Sequence, residues 1–174
     1  MARVLLGITG SVAAVKTPEL EVALRHAGYE VRIIATESAL YFFDTADLHD
    51  PLIRDKDEWP GTRYQRGDAV QHIELRKWAD AFVIAPLDAN TLAKMANGLC
   101  DNALTCVWRA WDFAKPIIVA PAMNTFMWQH PLTRQHLRTL GMLFGARTCL
   151  VISTIPFWFG RSTNGPNSFP SSSR

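Results

Sequence analysis

The hydrophobic residues of this chain are concentrated in four short, mainly apolar runs, and each run is followed by a stretch with helical periodicity. The runs are residues 4–6, 31–35, 81–85 and 116–120. The stretches that favour helices are residues 11–26, 37–43, 89–96, 102–111 and 131–140. Continuous apolar runs are typical of strands buried on both faces of a sheet. The alternation therefore predicts an α/β fold with three α/β/α layers, in which a Rossmann- or flavodoxin-like parallel sheet carries helices on both faces.

Glycines and prolines predict where several of these elements end. Gly28 is expected to end the first helix, and Pro86 and Pro121 are expected to end the third and fourth strands. Pro18 leaves two possibilities open, either a kink in the first helix or a fresh helix start at that point. Residues 44–71 are polar and broken by proline and glycine, which predicts a long loop. Loops of this length are often lids or partner contacts.

Three segments follow predicted strands, at the edge where parallel α/β sheets bind ligands. Residues 7–12 read Gly-Ile-Thr-Gly-Ser-Val, so that the backbone could approach a phosphate closely, although a structural turn fits equally well. Residues 86–91 contain Asp, Asn and Thr, which could cap the next helix or hold a phosphate or ribityl chain. In residues 121–124, Asn124 could be a turn residue or an amide that binds a carboxylate.

Composition excludes several other classes of protein. The chain has 174 residues and a net charge of +2 with no basic run, which fits one domain and argues against a nucleic-acid surface. Its apolar runs are too short to cross a bilayer, and the N-terminus lacks the apolar segment of a signal peptide, so we expect a cytoplasmic protein. Cys100, Cys106 and Cys149 have no metal-binding spacing, which predicts small buried side chains and no metal site.

Five segments, taken together and in order, resemble the homo-oligomeric flavin-containing cysteine decarboxylases, and within them the enzymes that act on 4'-phosphopantothenoylcysteine. These segments are residues 10–14, 72–75, 85–91, 98–102 and 121–124. The resemblance covers roughly residues 3 to 145. It therefore predicts a flavoprotein domain over residues 1–145, followed by a divergent and irregular tail over residues 146–174.

This resemblance implies a step of coenzyme A biosynthesis, a trimer with active sites between subunits, and a non-covalently bound FMN. The residues that would hold FMN are Gly10, Ser11, Val12, Thr36, Ser38, Asp88, Ala89, Asn90, Thr91 and Ala122. His72 would be the catalytic histidine, although a lone histidine is more often structural. Asn124 would bind the substrate carboxylate, with Met123 beside it.

The implied chemistry explains why such an enzyme needs a flavin. A cysteine carboxylate leaves only when an electron sink is available, and FMN provides one by oxidising the thiol end to a thioaldehyde. Loss of carbon dioxide then gives an enethiol. His72 would act as a base or as a positioning group, and Asn124 would orient the scissile bond.

The chain departs from this family in its last thirty residues. Enzymes that complete the reaction carry a later Cys-Gly-Asp segment, whose cysteine protonates the enethiol while the reduced flavin returns a hydride. This chain has no Cys-Gly-Asp, and residues 157–161 read Phe-Trp-Phe-Gly-Arg where that segment is expected. Cys149 lies too early and lacks the Gly-Asp context. We therefore expect the chain to support decarboxylation, whereas the sequence leaves the later reduction of the enethiol in doubt.

Three alternative functions fit parts of the sequence. One is a non-catalytic or half-catalytic subunit of a hetero-oligomer, which could have a regulatory role, because His72 and Asn124 are present without the later cysteine. Another is a flavin prenyltransferase, which shares the fold but fits residues 121–124 less well. A nicotinamide-binding domain fits least, because residues 7–12 do not match its glycine pattern.

Overall fold

A parallel sheet of five strands lies at the centre of the computed structural model, which describes residues 1–63, 65–112, 114–144 and 149–151. The strands pair side by side in the order β2-β1-β3-β4-β5, and every pair is parallel. Their bounds are β1 Arg3–Ile8, β2 Glu30–Ala35, β3 Ala81–Leu87, β4 Ile117–Pro121 and β5 Cys149–Val151. The predicted α/β fold class is confirmed.

Seven α-helices connect or flank these strands in the described part of the chain. They are α1 Thr17–His26, α2 Asp55–Glu58, α3 Gln71–Trp78, α4 Ala89–Asn97, α5 Ala103–Ala110, α6 Thr125–Gln129 and α7 Pro131–Phe144. Three short 3-10 helices cover Val12–Lys16, Glu37–Tyr41 and Thr45–Asp47. Of the two possibilities at Pro18, the structure has the fresh start, because α1 begins at Thr17 with the proline in its first turn.

The two faces of the sheet belong to two separate hydrophobic clusters. Phe82 and Ile84 of β3 are fully buried in a cluster that also contains residues of α3, α4, α5 and α7. Val83 and Ala85, whose side chains point to the opposite face, pack against a second cluster that includes Leu20 of α1. Burial on both faces explains why the strands have continuous apolar sequences instead of an alternating pattern.

The strand order creates a crevice beside β1. From β1 the chain moves outward to β2 on one side, and it then returns to place β3 on the other side of β1. The carboxyl ends of β1 and β3 therefore diverge at a topological switch point, where ligands bind in open α/β sheets. Two of the three candidate segments, residues 7–12 and 86–91, begin there.

Pro86, which was expected to end β3, lies inside that strand. β3 continues through Pro86 to Leu87, and its pairing with β4 shifts register between Ile84 and Leu87. A proline has no N–H to give to the ladder, and such an irregularity lets it remain within a strand. Pro121 is the last residue of β4, where it pairs with Leu87. The end of β3 therefore lies one residue beyond the predicted one, whereas Pro121 ends β4 as expected.

The loop and tail predictions need smaller corrections. Residues 44–71 are largely irregular, as predicted, with a 3-10 turn and α2 inside them, whereas α3 was not predicted. The tail expected to be irregular from residue 146 contains β5 at Cys149–Val151, and residues 152–174 lie outside the described residues. Cys100 is exposed in a loop instead of buried in a helix. No helix in the described ranges is long and apolar enough to span a membrane.

Candidate functional site

A buried threonine joins the loops that leave β1 and β3. The Thr9 side chain, which is fully buried, donates its hydroxyl to the Pro86 carbonyl at 2.8 Å. The same hydroxyl accepts the backbone N–H of Asp88 at 2.7 Å. No role for Thr9 was predicted from the sequence, although its position one residue beyond a buried strand is a usable signal. These bonds hold the two loops at a fixed separation across the switch point.

Gly10 lies where the two loops meet a third segment, the one that follows β2. A Cβ atom at Gly10 would contact the Ser38 hydroxyl and would lie 2.8 Å from Ser38 Cβ and 3.3 Å from Asp88 Oδ2. Ser38 in turn lies 3.1 Å, hydroxyl to hydroxyl, from Thr36. The structure thus brings together Gly10, Thr36, Ser38 and Asp88, four of the residues predicted to hold a cofactor, although they are up to 78 positions apart in sequence.

Two other predicted cofactor residues, Ser11 and Thr91, take part in local hydrogen bonds. The Ser11 hydroxyl accepts the Ala13 N–H at 3.4 Å, and the Asp88 carboxylate accepts the Thr91 N–H at 2.6 Å at the start of α4. Thr91 is buried, whereas Val12 and Asn90 are exposed. The capping role that the sequence suggested for Asp88 is therefore confirmed, and its second carboxylate oxygen still faces Gly10.

An apolar groove lies between the start of α1 and the ends of β3 and β4. Its volume is about 150 Å³, and its walls are formed mostly by small side chains, namely Ala13, Lys16, Thr17, Leu20, Ala85, Pro86, Ala120 and Ala122. The backbone N–H of Ala122 donates to the Leu87 carbonyl at 2.9 Å, which ties the end of β4 to β3. A larger hollow of about 590 Å³ lies along α7, but none of the predicted residues lines it.

Asn124 begins α6. Its side-chain oxygen accepts the backbone N–H of Met127 at 2.9 Å, so it is an N-cap, and the side chain is exposed. Thr133 fixes the same segment, because its hydroxyl donates to the Met127 carbonyl at 2.6 Å and lies 3.9 Å from the Met123 sulfur. The side-chain amide N–H groups of Asn124 have no acceptor among the described residues, so they are free to bind an anion.

His72 is paired with a buried glutamate that the sequence analysis did not identify. One carboxylate oxygen of Glu58 accepts the backbone N–H of His72 at 2.9 Å, and the other contacts the imidazole Nδ1. The Glu58 side chain is 4% exposed and that of His72 is 25% exposed. Because a buried carboxylate is unfavourable without a partner, this contact stabilises Glu58 and restrains the imidazole.

The segment that carries Glu58 is anchored at several points. Ile53 pairs with the end of β2, donating to the Ile33 carbonyl at 3.0 Å. Arg54 forms a salt bridge with Glu37 at 2.8 Å. Asp55 accepts the backbone N–H of Ala103 at 2.9 Å, at the start of α5. Although residues 44–71 read as a loop, this part of them is fixed to β2 and α5 and so delivers Glu58 to the first turn of α3.

Cys106 completes the surroundings of this pair. One ligand atom from each of Glu58, His72 and Cys106 lies within 4.8 Å of the other two, so the three could in geometry hold a metal ion. Sequence spacing could not show this, because the residues come from three separate segments. Burial, followed by the charge of Glu58, raises the pKa of the Cys106 thiol to about 11. A thiol that is protonated at neutral pH is a poor metal ligand.

A parallel sheet with close-packed polar loops at its switch point defines an α/β protein that binds a nucleotide-like cofactor. The sequence profile of the Flavoprotein family matches residues 1–157, and the chain belongs to this family. It is 56% identical over 143 residues to the phosphopantothenoylcysteine decarboxylase of Oryza sativa subsp. japonica. That match covers 81% of this chain and 64% of the rice protein, so the chain spans less than two thirds of this relative.

Two solved structures resemble the chain closely. A phosphopantothenoylcysteine (PPC) decarboxylase with a cysteine-to-serine mutation, complexed with pantothenoylaminoethenethiol, has a TM-score of 0.80 and 50% identity. The alignment covers 87% of this chain and 81% of that one. The FMN binding protein AtHal3 has a TM-score of 0.84 and 46% identity, with 98% of this chain and 90% of that one covered.

Proposed function

We propose that this protein is an FMN-dependent decarboxylase that acts on 4'-phosphopantothenoylcysteine, the reaction that leads to 4'-phosphopantetheine in coenzyme A biosynthesis. The observation that carries the proposal is the meeting of Gly10, Ser38 and Asp88 at the switch point of a Flavoprotein-family fold. Relatives that are named phosphopantothenoylcysteine decarboxylase support the substrate, and the FMN binding protein AtHal3 supports the identity of the flavin.

The loops around Gly10 suit a flavin nucleotide. The backbone N–H groups of Gly10 and Val12 have no acceptor in the described part of the chain and could donate to a phosphate. A carboxylate would repel a phosphate, so Asp88 is better suited to accept a ribityl hydroxyl. The small side chains of the neighbouring groove, including Ala85 and Ala122, leave room for one edge of a flat ring.

The reaction divides between the cofactor and the protein. A bound flavin supplies a two-electron acceptor for the thiol end of the substrate, which makes loss of the carboxylate possible. In this scheme His72 accepts the thiol proton. Asn124 donates its amide N–H groups to the substrate carboxylate and orients the carbon–carbon bond that breaks. Met123, which precedes Asn124, would pack against the substrate.

The residues present support decarboxylation to the enethiol, and the reductive half of the reaction is the part that experiment has to decide. The printed sequence contains no Cys-Gly-Asp that could protonate this product. One solved PPC decarboxylase in which a cysteine is replaced by serine is complexed with pantothenoylaminoethenethiol, a molecule of the same unsaturated type.

We further propose a cytoplasmic homotrimer with active sites between subunits. Light scattering of the purified protein, which gives its mass in solution, tests the trimer.

Purified protein tests the proposed activity directly. It should show flavin absorbance, and the released cofactor should have the mass of FMN. With 4'-phosphopantothenoylcysteine, mass spectrometry should find carbon dioxide release and the enethiol. The saturated aminothiol would show that reduction occurs without Cys-Gly-Asp, and a colourless protein without product would refute the proposal.

Substitution of His72 tests its assigned role. His72→Asn should leave FMN bound and reduce carbon dioxide release by a factor of about 10² or more, because the proton acceptor is lost. His26→Asn, at the exposed end of α1, is the matched control and should leave turnover unchanged. Normal turnover in His72→Asn would remove this residue from the mechanism.

A further inference from the structure

We propose that Glu58 is the positioning residue of His72, and that it sets which imidazole nitrogen exchanges the substrate proton. This inference rests on the proposed role of His72 as the proton acceptor. Glu58 itself would not touch the substrate. Its effect would be to hold a proton on Nδ1 and to leave the lone pair on Nε2.

The geometry of Glu58 is directed at His72 alone. Both of its carboxylate oxygens are taken by this one residue, Oε2 by the backbone N–H at 2.9 Å and Oε1 by the imidazole Nδ1. The first bond fixes the backbone at the start of α3, and the second fixes the ring that the backbone carries. Two restraints from a single carboxylate leave the imidazole little freedom to rotate.

Burial makes this arrangement selective between the two tautomers. The Glu58 carboxylate is 4% exposed, so water cannot replace the hydrogen bond from the imidazole. An ionised carboxylate only accepts hydrogen bonds, and Nδ1 must therefore carry a proton. The other nitrogen, Nε2, is then the acceptor in the neutral ring, as in enzymes where a carboxylate orients a catalytic histidine.

The consequence for the reaction can be stated in terms of protons. The thiol proton of the substrate moves to Nε2, Nδ1 keeps its own proton, and no bond at Glu58 forms or breaks. The resulting imidazolium lies against a buried carboxylate, which stabilises its positive charge. Without that carboxylate, the ring could adopt the opposite tautomer, in which Nε2 is already protonated and cannot accept.

The surroundings offer no substitute for Glu58. The other titratable groups around the pair are Cys106 in the first turn of α5, Cys100 and Asp101 just before that helix, and Asp55 on α2. Cys106 keeps its proton at neutral pH because its pKa is raised to about 11. Asp55 is engaged by the Ala103 N–H. Glu58 is therefore the group in the described structure that faces Nδ1.

Glu58→Gln is the sharpest test of this inference. The glutamine carbonyl can still accept the His72 backbone N–H, but its amide then donates to Nδ1 and forces the proton onto Nε2. We expect turnover to fall by about 10²–10⁴-fold, with KM and flavin content within about twofold of the wild type, by analogy with the wrong-tautomer effect in serine proteases. Nitrogen-15 NMR should show the His72 proton on Nδ1 in the wild type and on Nε2 in the variant.

Glu21→Gln is the matched control, because Glu21 is also a fully buried glutamate and also lies near a histidine, His49. Its loss should lower the unfolding temperature and leave turnover unchanged. If Glu58→Gln unfolds, Glu58→Asp keeps the charge and should retain the Nδ1 tautomer with reduced turnover. Normal turnover in Glu58→Gln, or a proton on Nε2 of the wild type, would overturn the inference.

The NMR measurement does not depend on activity. If the wild type shows the Nδ1 proton but does not decarboxylate the substrate, the proposed function fails and the pairing of Glu58 with His72 stands. If the wild type is active but carries the His72 proton on Nε2, the proposed function stands and the inference about Glu58 fails.

Discussion

The loops around Gly10 and the Glu58–His72 pair are two regions of the molecule that differ in the kinds of residue they contain. The first consists of a glycine and short polar side chains in close contact, with Gly10, Ser38 and Asp88 at its centre. The second consists of two ionisable groups, the buried Glu58 and the partly buried His72. Shape restricts what the first can bind, whereas charge restricts what the second can do.

This difference indicates which substitutions are informative in each region. A change of one methyl group should damage the close-packed loops even when it adds no charge. In the ionic pair, a change that preserves size and alters only charge should have the larger effect, as Glu58→Gln is designed to show. The two regions can therefore be separated by experiments that change one property at a time.

In the first region, we expect Gly10→Ala to lose the flavin. The added Cβ would lie 2.8 Å from Ser38 Cβ, closer than such atoms approach, so a loop must move. Flavin affinity should fall at least about tenfold, equivalent to about 1.4 kcal/mol. Flavin absorbance per protein after gel filtration measures this.

Gly141→Ala is the control for that experiment. Gly141 lies on the exposed side of α7 with no atom within 4 Å of an added Cβ. The same substitution there should leave flavin content unchanged and stabilise the protein by about 0.5–1 kcal/mol, because alanine favours helices. Full flavin content in Gly10→Ala would show that close packing does not define the first region.

The two regions also differ in how far the sequence predicts them. The buried strands, the helix end at Gly28 and the switch-point segments follow from apolar runs and from the rule that ligands bind at the carboxyl ends of strands. Gly10 and Asp88 could be predicted because each lies within two residues of the end of a strand. A local pattern is enough when backbone geometry places the residue.

Glu58 could not be predicted in this way. In the sequence it belongs to Asp-Lys-Asp-Glu, a charged run that looks like any solvated loop. Its burial depends on bonds to three distant elements, through Ile53, Arg54 and Asp55. Tertiary contacts of this kind leave no periodic signal. The course of β3 through Pro86 escaped prediction for a related reason, since the irregularity depends on its neighbour β4.

The next effect concerns the reactivity of Cys106, which tests whether the second region is buried and negatively charged. Because the pKa of this thiol is raised to about 11 from an ordinary value of 9.0, its thiolate fraction at pH 8 should be roughly a hundredfold lower than that of an ordinary cysteine. Alkylation by iodoacetamide, located by mass spectrometry, should rise about tenfold per pH unit up to about pH 11.

Glu58→Gln provides the comparison for Cys106, because removal of the neighbouring charge should lower the pKa of the thiol and speed its alkylation. Simple steric protection would slow the reaction at every pH and would not move the point at which it levels off. A plateau near pH 9 in the wild type would show that the second region does not hold the charge that we assign to it.

A loss of stability is expected in Thr9→Val, which tests whether hydrogen bonds or volume hold the first region together. Valine has nearly the same shape, but it cannot donate to the Pro86 carbonyl or accept the Asp88 N–H. Because Thr9 is fully buried, the Asp88 N–H would be left without a hydrogen-bond partner. The free energy of unfolding, measured by urea denaturation, should therefore fall by about 1–3 kcal/mol. Thr17→Val is the matched control, because that buried hydroxyl donates only to the Ala14 carbonyl at 2.7 Å, and its loss orphans no N–H. An equal loss of stability in both variants would mean that packing, and not the Thr9 hydrogen bonds, holds the loops after β1 and β3 together. The two regions would then differ only in that the second depends on charge.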